Sequence, residues 1–162
     1  MTGRTLLSVA ALVIDALSLG PSYAHVLEAP PRLLVWTPAL WREATVFNGQ
    51  FELFGLVGGP IDIAAIVILF ALAWVLRSER RAFRAALAAA AFYALGLAVW
   101  FAWVAPANGV LATWRPGPLP ADFESIRTRW ETGHMVVAGL KLAGFVCLAV
   151  AALRCSSGGP RR

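Results

Sequence analysis

The chain has 162 residues, 59% hydrophobic and only 14% charged, with a mean hydropathy of +0.70. A soluble domain of this size has too little interior to hide so much apolar surface, so an ordinary soluble fold is excluded and a bilayer is the natural solvent. The net charge of +5 and a pI of about 10.2 do not point to nucleic acid, because the arginines flank the hydrophobic runs instead of forming one patch.

A spanning helix needs about 20 apolar residues. The first run, about residues 4–28, is the shortest and carries Asp15. Arg4, the apolar stretch and the small-x-small pattern at Ser22-Tyr23-Ala24 have the outline of a secretory signal. Asp15 in the apolar core argues instead for a retained span, bent near Gly20-Pro21 and stopped by Pro30-Pro31. In the connection RLLVWTPALWREATVFNGQ, Thr37-Pro38 is a good N-cap and first-turn pair. Trp36, Trp41 and Phe47 mix there with Arg42 and Glu43, which predicts a short helix lying at the membrane interface.

The second span, about 53–76, carries Gly55, Gly58, Gly59 and Pro60 in one half, which predicts a kink or close packing. Arg77, Arg80, Arg81 and Arg84 fill the turn into the third span, an alanine-rich run over about 85–104 that ends in WFAWVAPANG. RPGPLP is punctuated as a loop. ADFESIRTRWETGH then leads without a break into the fourth span, so that the last helix covers about 121–153. Residues 1–162 are thus read as a single all-α domain, an integral-membrane four-helix bundle in contact with lipid. Cys147 and Cys155, eight residues apart, lie roughly 12 Å from each other along a helix, too far for a bridge.

Eight arginines (Arg4, Arg77, Arg80, Arg81, Arg84, Arg154, Arg161 and Arg162) fall on one side. The other side has five, among the acidic residues Glu28, Glu43, Glu52, Asp122, Glu124 and Glu131. The positive-inside rule then gives an N-in/C-in topology. Thirteen arginines against one lysine, with abundant alanine, suggest a GC-rich bacterial genome and hence the inner, cytoplasmic membrane.

Charged residues inside spans face the protein interior as a rule. Asp15, Asp62 and Lys141 are the three, near the bilayer middle; Lys141 and Asp62 match best in depth, with Asp15 about one turn deeper, and they are read as a buried ion pair of Lys141 with Asp62 or Asp15, or as a proton path or substrate counter-ion. Asp15, Ser18, Ser22 and His25 succeed one another at steps of three, four and three, which keeps them on one face. Glu131, His134, Ala138 and Lys141 repeat those steps on the last helix. Because the first and last helices run in opposite directions, His25 with Glu28 and His134 with Glu131 come to a common height, near Asn48, Glu52 and Asn108.

Glu-x-x-His steps of this kind hold metals in four-helix carboxylate proteins. Two imidazoles and two carboxylates would suit one transition-metal ion: iron, copper, zinc or manganese. The same residues also suit a hydrogen-bonded cluster, or acid–base catalysis without a metal. Trp100, Trp103, Trp114 and Trp130 are most simply an interfacial aromatic belt, although Trp130 beside Glu131 is also placed to line a flat, hydrophobic ligand pocket.

GPSYAHVLEAPPRL, APANGVLATW and RTRWETGHMVVAGLKLAGFVCL resemble the small four-span membrane proteins grouped with the fungal anthrone oxygenases. The resemblance covers most of the chain. It rests chiefly on the Trp-x-x-x-His step at Trp130 and His134, on Asn108, and on the His-x-x-Glu-x-Pro block at His25, Glu28 and Pro30. For some relatives it implies oxygenation of a polycyclic phenol. The expectation drawn is a membrane-embedded oxidoreductase for a lipophilic, aromatic or quinone-like small molecule, with His25, His134, Glu28 and Glu131 holding a metal or moving protons. The alternative is a non-enzymatic membrane subunit or small-ligand binder that uses the same cluster structurally.

Overall fold

The structure, a computed structural model, describes residues 3–48 and 50–156, without the side chains of residues 50–53 and 155–156. The side chains of Glu52 and Cys155, and Arg161 and Arg162, lie outside the described residues. Helix α1 spans Gly3–Leu34 and is followed by the short α2, Pro38–Arg42, and a π-helical turn at Glu43–Phe47. Helix α3 covers Gln50–Val75 and α4 covers Arg80–Val99. A second π turn, Trp100–Val104, joins α4 to α5, Ala105–Leu111, and α6 runs over Phe123–Ser156. Among the described residues, four stretches are long and apolar enough to cross a membrane: Gly3–Leu34, Phe54–Val75, Arg80–Leu111 and Phe123–Arg154.

The pattern of α1 is that of a helix whose solvent is lipid. Its buried residues are Ser8, Ala11, Asp15, Ser18, His25, Ala29 and Arg32, a seam at steps of three, four and seven made of small and polar side chains. Leu6, Val9, Val13 and Leu17 face outward and are exposed. Apolar-out and polar-in is the reverse of a soluble amphipathic helix, and it fits a bundle whose polar groups satisfy one another inside.

Two helix ends differ from the sequence-based expectation. Helix α1 does not stop at Pro30-Pro31 but continues to Leu34. Proline's fixed φ is already helical, so the pair removes only the two N–H donors that would have reached the carbonyls of Val26 and Leu27. The ladder resumes beyond, and the N–H groups of Val35 and Trp36 both donate to the Pro31 carbonyl at 3.0 Å. The third span likewise runs past residue 104 to Leu111, carried across Pro106 by the π turn, which shifts the hydrogen-bond ladder by one residue. Thr37 caps α2 as its sequence indicates, accepting from the Leu40 N–H at 3.2 Å.

Helices α4 and α6 approach closely because their contact is built of small residues. A Cβ added at Gly144 would come within 2.7 Å of the Tyr93 ring, and one at Gly133 within 2.8 Å of Val104. At the end holding the N-terminus and the α3–α4 turn, the core is aliphatic, with Leu69, Leu72, Leu76, Ala86 and Leu148. Arg4 pairs with Glu79 there at 2.5 Å. At the opposite end the core is aromatic, with Trp41, Trp114, Phe123 and Trp130. Arg42 ties the α5–α6 loop to that cluster by donating to the carbonyls of Gly117 (2.6 Å) and Pro118 (3.0 Å). Trp114 and Trp130 are therefore core residues rather than members of an aromatic belt, whereas Trp103 is exposed.

Candidate functional site

Between the two cores lies a cavity of about 140 Å3, lined by residues from α1, α3, α4, α5, α6 and both π turns. Its polar lining includes Ser22, His25, Arg32, Asp62, His134 and Lys141, together with Ser18, Thr45 and Asn108. Phe54, Trp100, Phe101 and Trp130 supply most of its aromatic wall. Each π turn contributes, Thr45 from the first and Trp100 and Phe101 from the second. Such turns insert one extra residue and re-aim the side chains that follow.

The two histidines meet. Their rings are stacked, with centroids 4.0 Å apart and planes 14° from parallel. Trp130 sets its edge or face against both, at 5.1 Å from His25 and 4.4 Å from His134. Its indole Nε1 donates to Asn108 Oδ1 at 2.8 Å, which fixes the ring. Arg32 lies one turn beyond Glu28 and two beyond His25, buried, with its guanidinium 5.8 Å from the Trp130 ring and 5.9 Å from that of Trp36. It reaches His25 Nδ1 at 3.3 Å and pairs with Glu28. Because a guanidinium can only donate, Nδ1 accepts and the ring proton of His25 sits on Nε2.

The carboxylates do not join the imidazoles. Glu28 is held by Arg32, its side chain 48% exposed, and does not line the cavity. Glu131 is fully buried, and its Oε1 accepts from Trp41 Nε1 at 2.8 Å. Stacked rings carry their lone pairs in nearly parallel planes, not toward one point. Among the described residues no three His, Cys, Asp or Glu side chains are grouped to hold a metal ion. As arranged, the four expected ligands offer an ion two imidazoles at most, short of the three or four donors a protein site needs. Asn48 is exposed and does not line the cavity.

Deeper in the cavity, Lys141 binds Asp62 at 2.7 and 2.8 Å, Ser22 Oγ at 2.9 Å and the Ser18 carbonyl at 3.4 Å. An ammonium has three donors, and all are used. Ser18 in turn donates to Asp62 at 2.6 Å. Asp15 is not in this set: it is fully buried one turn further along α1, and neither of its carboxyl oxygens has a protein partner. Tyr93 donates to the Asp15 backbone carbonyl at 3.0 Å instead.

Sequence reasoning missed Arg32, Trp41, Phe54, Trp100 and Phe101. The signal for Arg32 was present, since Ser18, His25 and Arg32 continue one heptad seam, but it was cut off by ending the helix at the prolines. Compared with protein-family models, with curated proteins and with solved structures, the chain matches none.

Proposed function

We propose that the chain is a membrane-embedded oxidoreductase that takes a lipophilic aromatic or quinone-like molecule into this cavity. The observation that carries the reading is the pair of imidazoles on the cavity wall, edged by Trp130 and flanked by the buried cations Arg32 and Lys141. One imidazole of the pair accepts the proton of a ring hydroxyl. Arg32 stabilises the oxyanion that forms, and low local dielectric strengthens that interaction. A dihydroxy ring so deprotonated gives two electrons to molecular oxygen; with its two protons these leave as hydrogen peroxide, and the ring becomes the quinone. The resemblance to the anthrone oxygenase group supports the same chemistry. The bundle sits N-in/C-in in a bacterial inner membrane, with α2 at the interface and the histidine end of the cavity toward the outer face.

The test is oxygen uptake by protein purified in detergent, with hydroxylated aromatic substrates. His134→Gln lowers turnover by about a hundredfold or more while ligand still quenches tryptophan fluorescence. Because the donor set is short of ligands, a strong chelator leaves turnover unchanged, and a loss on chelation would return the metal reading to first place. A second reading has its own support. Glu28 and Glu131 are engaged by Arg32 and Trp41, as in a purely structural cluster. Ligand quenching without turnover of any substrate would assign the cavity to a non-enzymatic small-molecule binder.

A further inference from the structure

The cavity's size, the spacing of its polar ends and its side opening together restrict what it can hold. A cavity of about 150 Å3 accommodates benzene, and this one measures about 140 Å3. Its enclosed part therefore matches one ring. Its hydrogen-bonding groups lie at two ends. At one end His25, with Nδ1 engaged by Arg32, has its Nε2 proton to donate. At the other end Lys141 meets Ser22. Ser22 and His25 are three residues apart on α1, a rise of roughly 4.5 Å, so the two groups sit at different depths in the cavity. The bond from Lys141 to the Ser18 carbonyl, 3.4 Å, is the longest in its set and the one a ligand oxygen replaces most easily.

One wall is made for a flat ring. Gly55, Gly58 and Asp62 follow each other at steps of three and four on one face of α3, and all three line the cavity. A Cβ placed at Gly55, Gly58 or Gly59 would meet nothing within 4 Å. The cavity also reaches the side of the bundle: Leu17 of α1 and Ile63 of α3 both line it, yet are 56% and 57% exposed on the lipid-facing surface.

We propose that the cavity takes the single-ring headgroup of a membrane-dissolved quinone or its quinol. Its oxygens take hydrogen bonds from His25 and from the Lys141–Ser22 group, and the hydrophobic tail leaves between α1 and α3 into the bilayer. This rests on the reading that the cavity binds a lipophilic aromatic molecule, and it fixes the class as one-ring rather than polycyclic.

The experiment titrates the purified full chain, by tryptophan quenching, with a decyl-substituted benzoquinone, the corresponding naphthoquinone and an anthraquinone. The benzoquinone binds at least about tenfold more tightly than the anthraquinone. Gly58→Leu, whose Cβ meets no protein atom within 4 Å and whose remaining atoms enter the ring's space, weakens benzoquinone binding by at least about tenfold and leaves the melting temperature in place. Equal affinity for the anthraquinone, or unchanged binding by Gly58→Leu, overturns the one-ring assignment and leaves the broader aromatic reading standing. Failure of all three ligands to bind overturns both.

Discussion

At the scale of single residues, the deep cluster shows which polar group depends on which. Lys141 has every donor occupied by Asp62, Ser22 and the Ser18 carbonyl, so each of its partners would be left short without it. Lys141→Met leaves the Asp62 carboxylate buried and unpaired, and breaking such a pair costs about 3–5 kcal/mol. Asp15 is the contrast. Its carboxyl oxygens make no hydrogen bond of normal geometry, so Asp15→Asn removes less than Asp62→Asn does. Thermal midpoints measured in one detergent separate the two: a clear drop for Lys141→Met and Asp62→Asn, and none, or a rise, for Asp15→Asn. Equal losses at Asp15 and Asp62 would mean that Asp15 shares the pair. The matched depth of Asp62 and Lys141, with Asp15 about one turn deeper, was legible by counting along the spans, and the pair that forms is the matched one. The lateral approach of α3 to α6 that lets the two groups touch is set by packing, not by any local pattern.

At the scale of elements, the mirrored spacing on α1 and α6 brought His25 and His134 together as their sequence order suggests. The carboxylates went elsewhere for a reason local sequence hides. Their competing partners, Arg32 and Trp41, sit in what reads as a loop after two prolines. Arg32 becomes available only because α1 survives those prolines, and Trp41 only because α2 folds back over Glu131. The two π turns are also invisible to a 3.6-residue period, yet both line the cavity. Glycine spacing is more transparent in its effect than in its pattern. Gly144 is packed against Tyr93 and the Ala89 carbonyl, the latter 3.2 Å from where a Cβ would stand, whereas a Cβ at Gly139 would meet nothing within 4 Å. Gly144→Val should therefore cost about 1–3 kcal/mol by overpacking and push Tyr93 off its bond to Asp15. Gly139→Val, facing outward, should leave the detergent melting curve where it is. The same shift for both variants would show that the α4–α6 approach is looser than 2.7 Å implies.

At the scale of the whole molecule, composition alone was enough to name the solvent, and four long apolar helices follow from it. The bundle fixes which loops share an end. Arg4 meets Glu79 at 2.5 Å, so the start of α1 lies beside the α3–α4 turn, and Leu148 and Ala151 of α6 pack with Leu76 at that same end. Whatever the orientation, reporters fused after α6 and inserted near Arg77–Arg84 must give the same answer. The arginine excess decides which answer. By sequence, eight arginines fall on the side of the α3–α4 turn against five on the other, and cationic loops are retained on the cytoplasmic side. Both fusions should therefore report cytoplasm, leaving the aromatic core and the histidine end of the cavity toward the outer face. Two periplasmic signals would keep the bundle and exchange its faces, so that any ring oxygen bound at His25 would trade protons with the cytoplasm. Opposite signals from the two fusions would break the four-span arrangement itself, since an even number of crossings cannot separate the C-terminus from the α3–α4 turn.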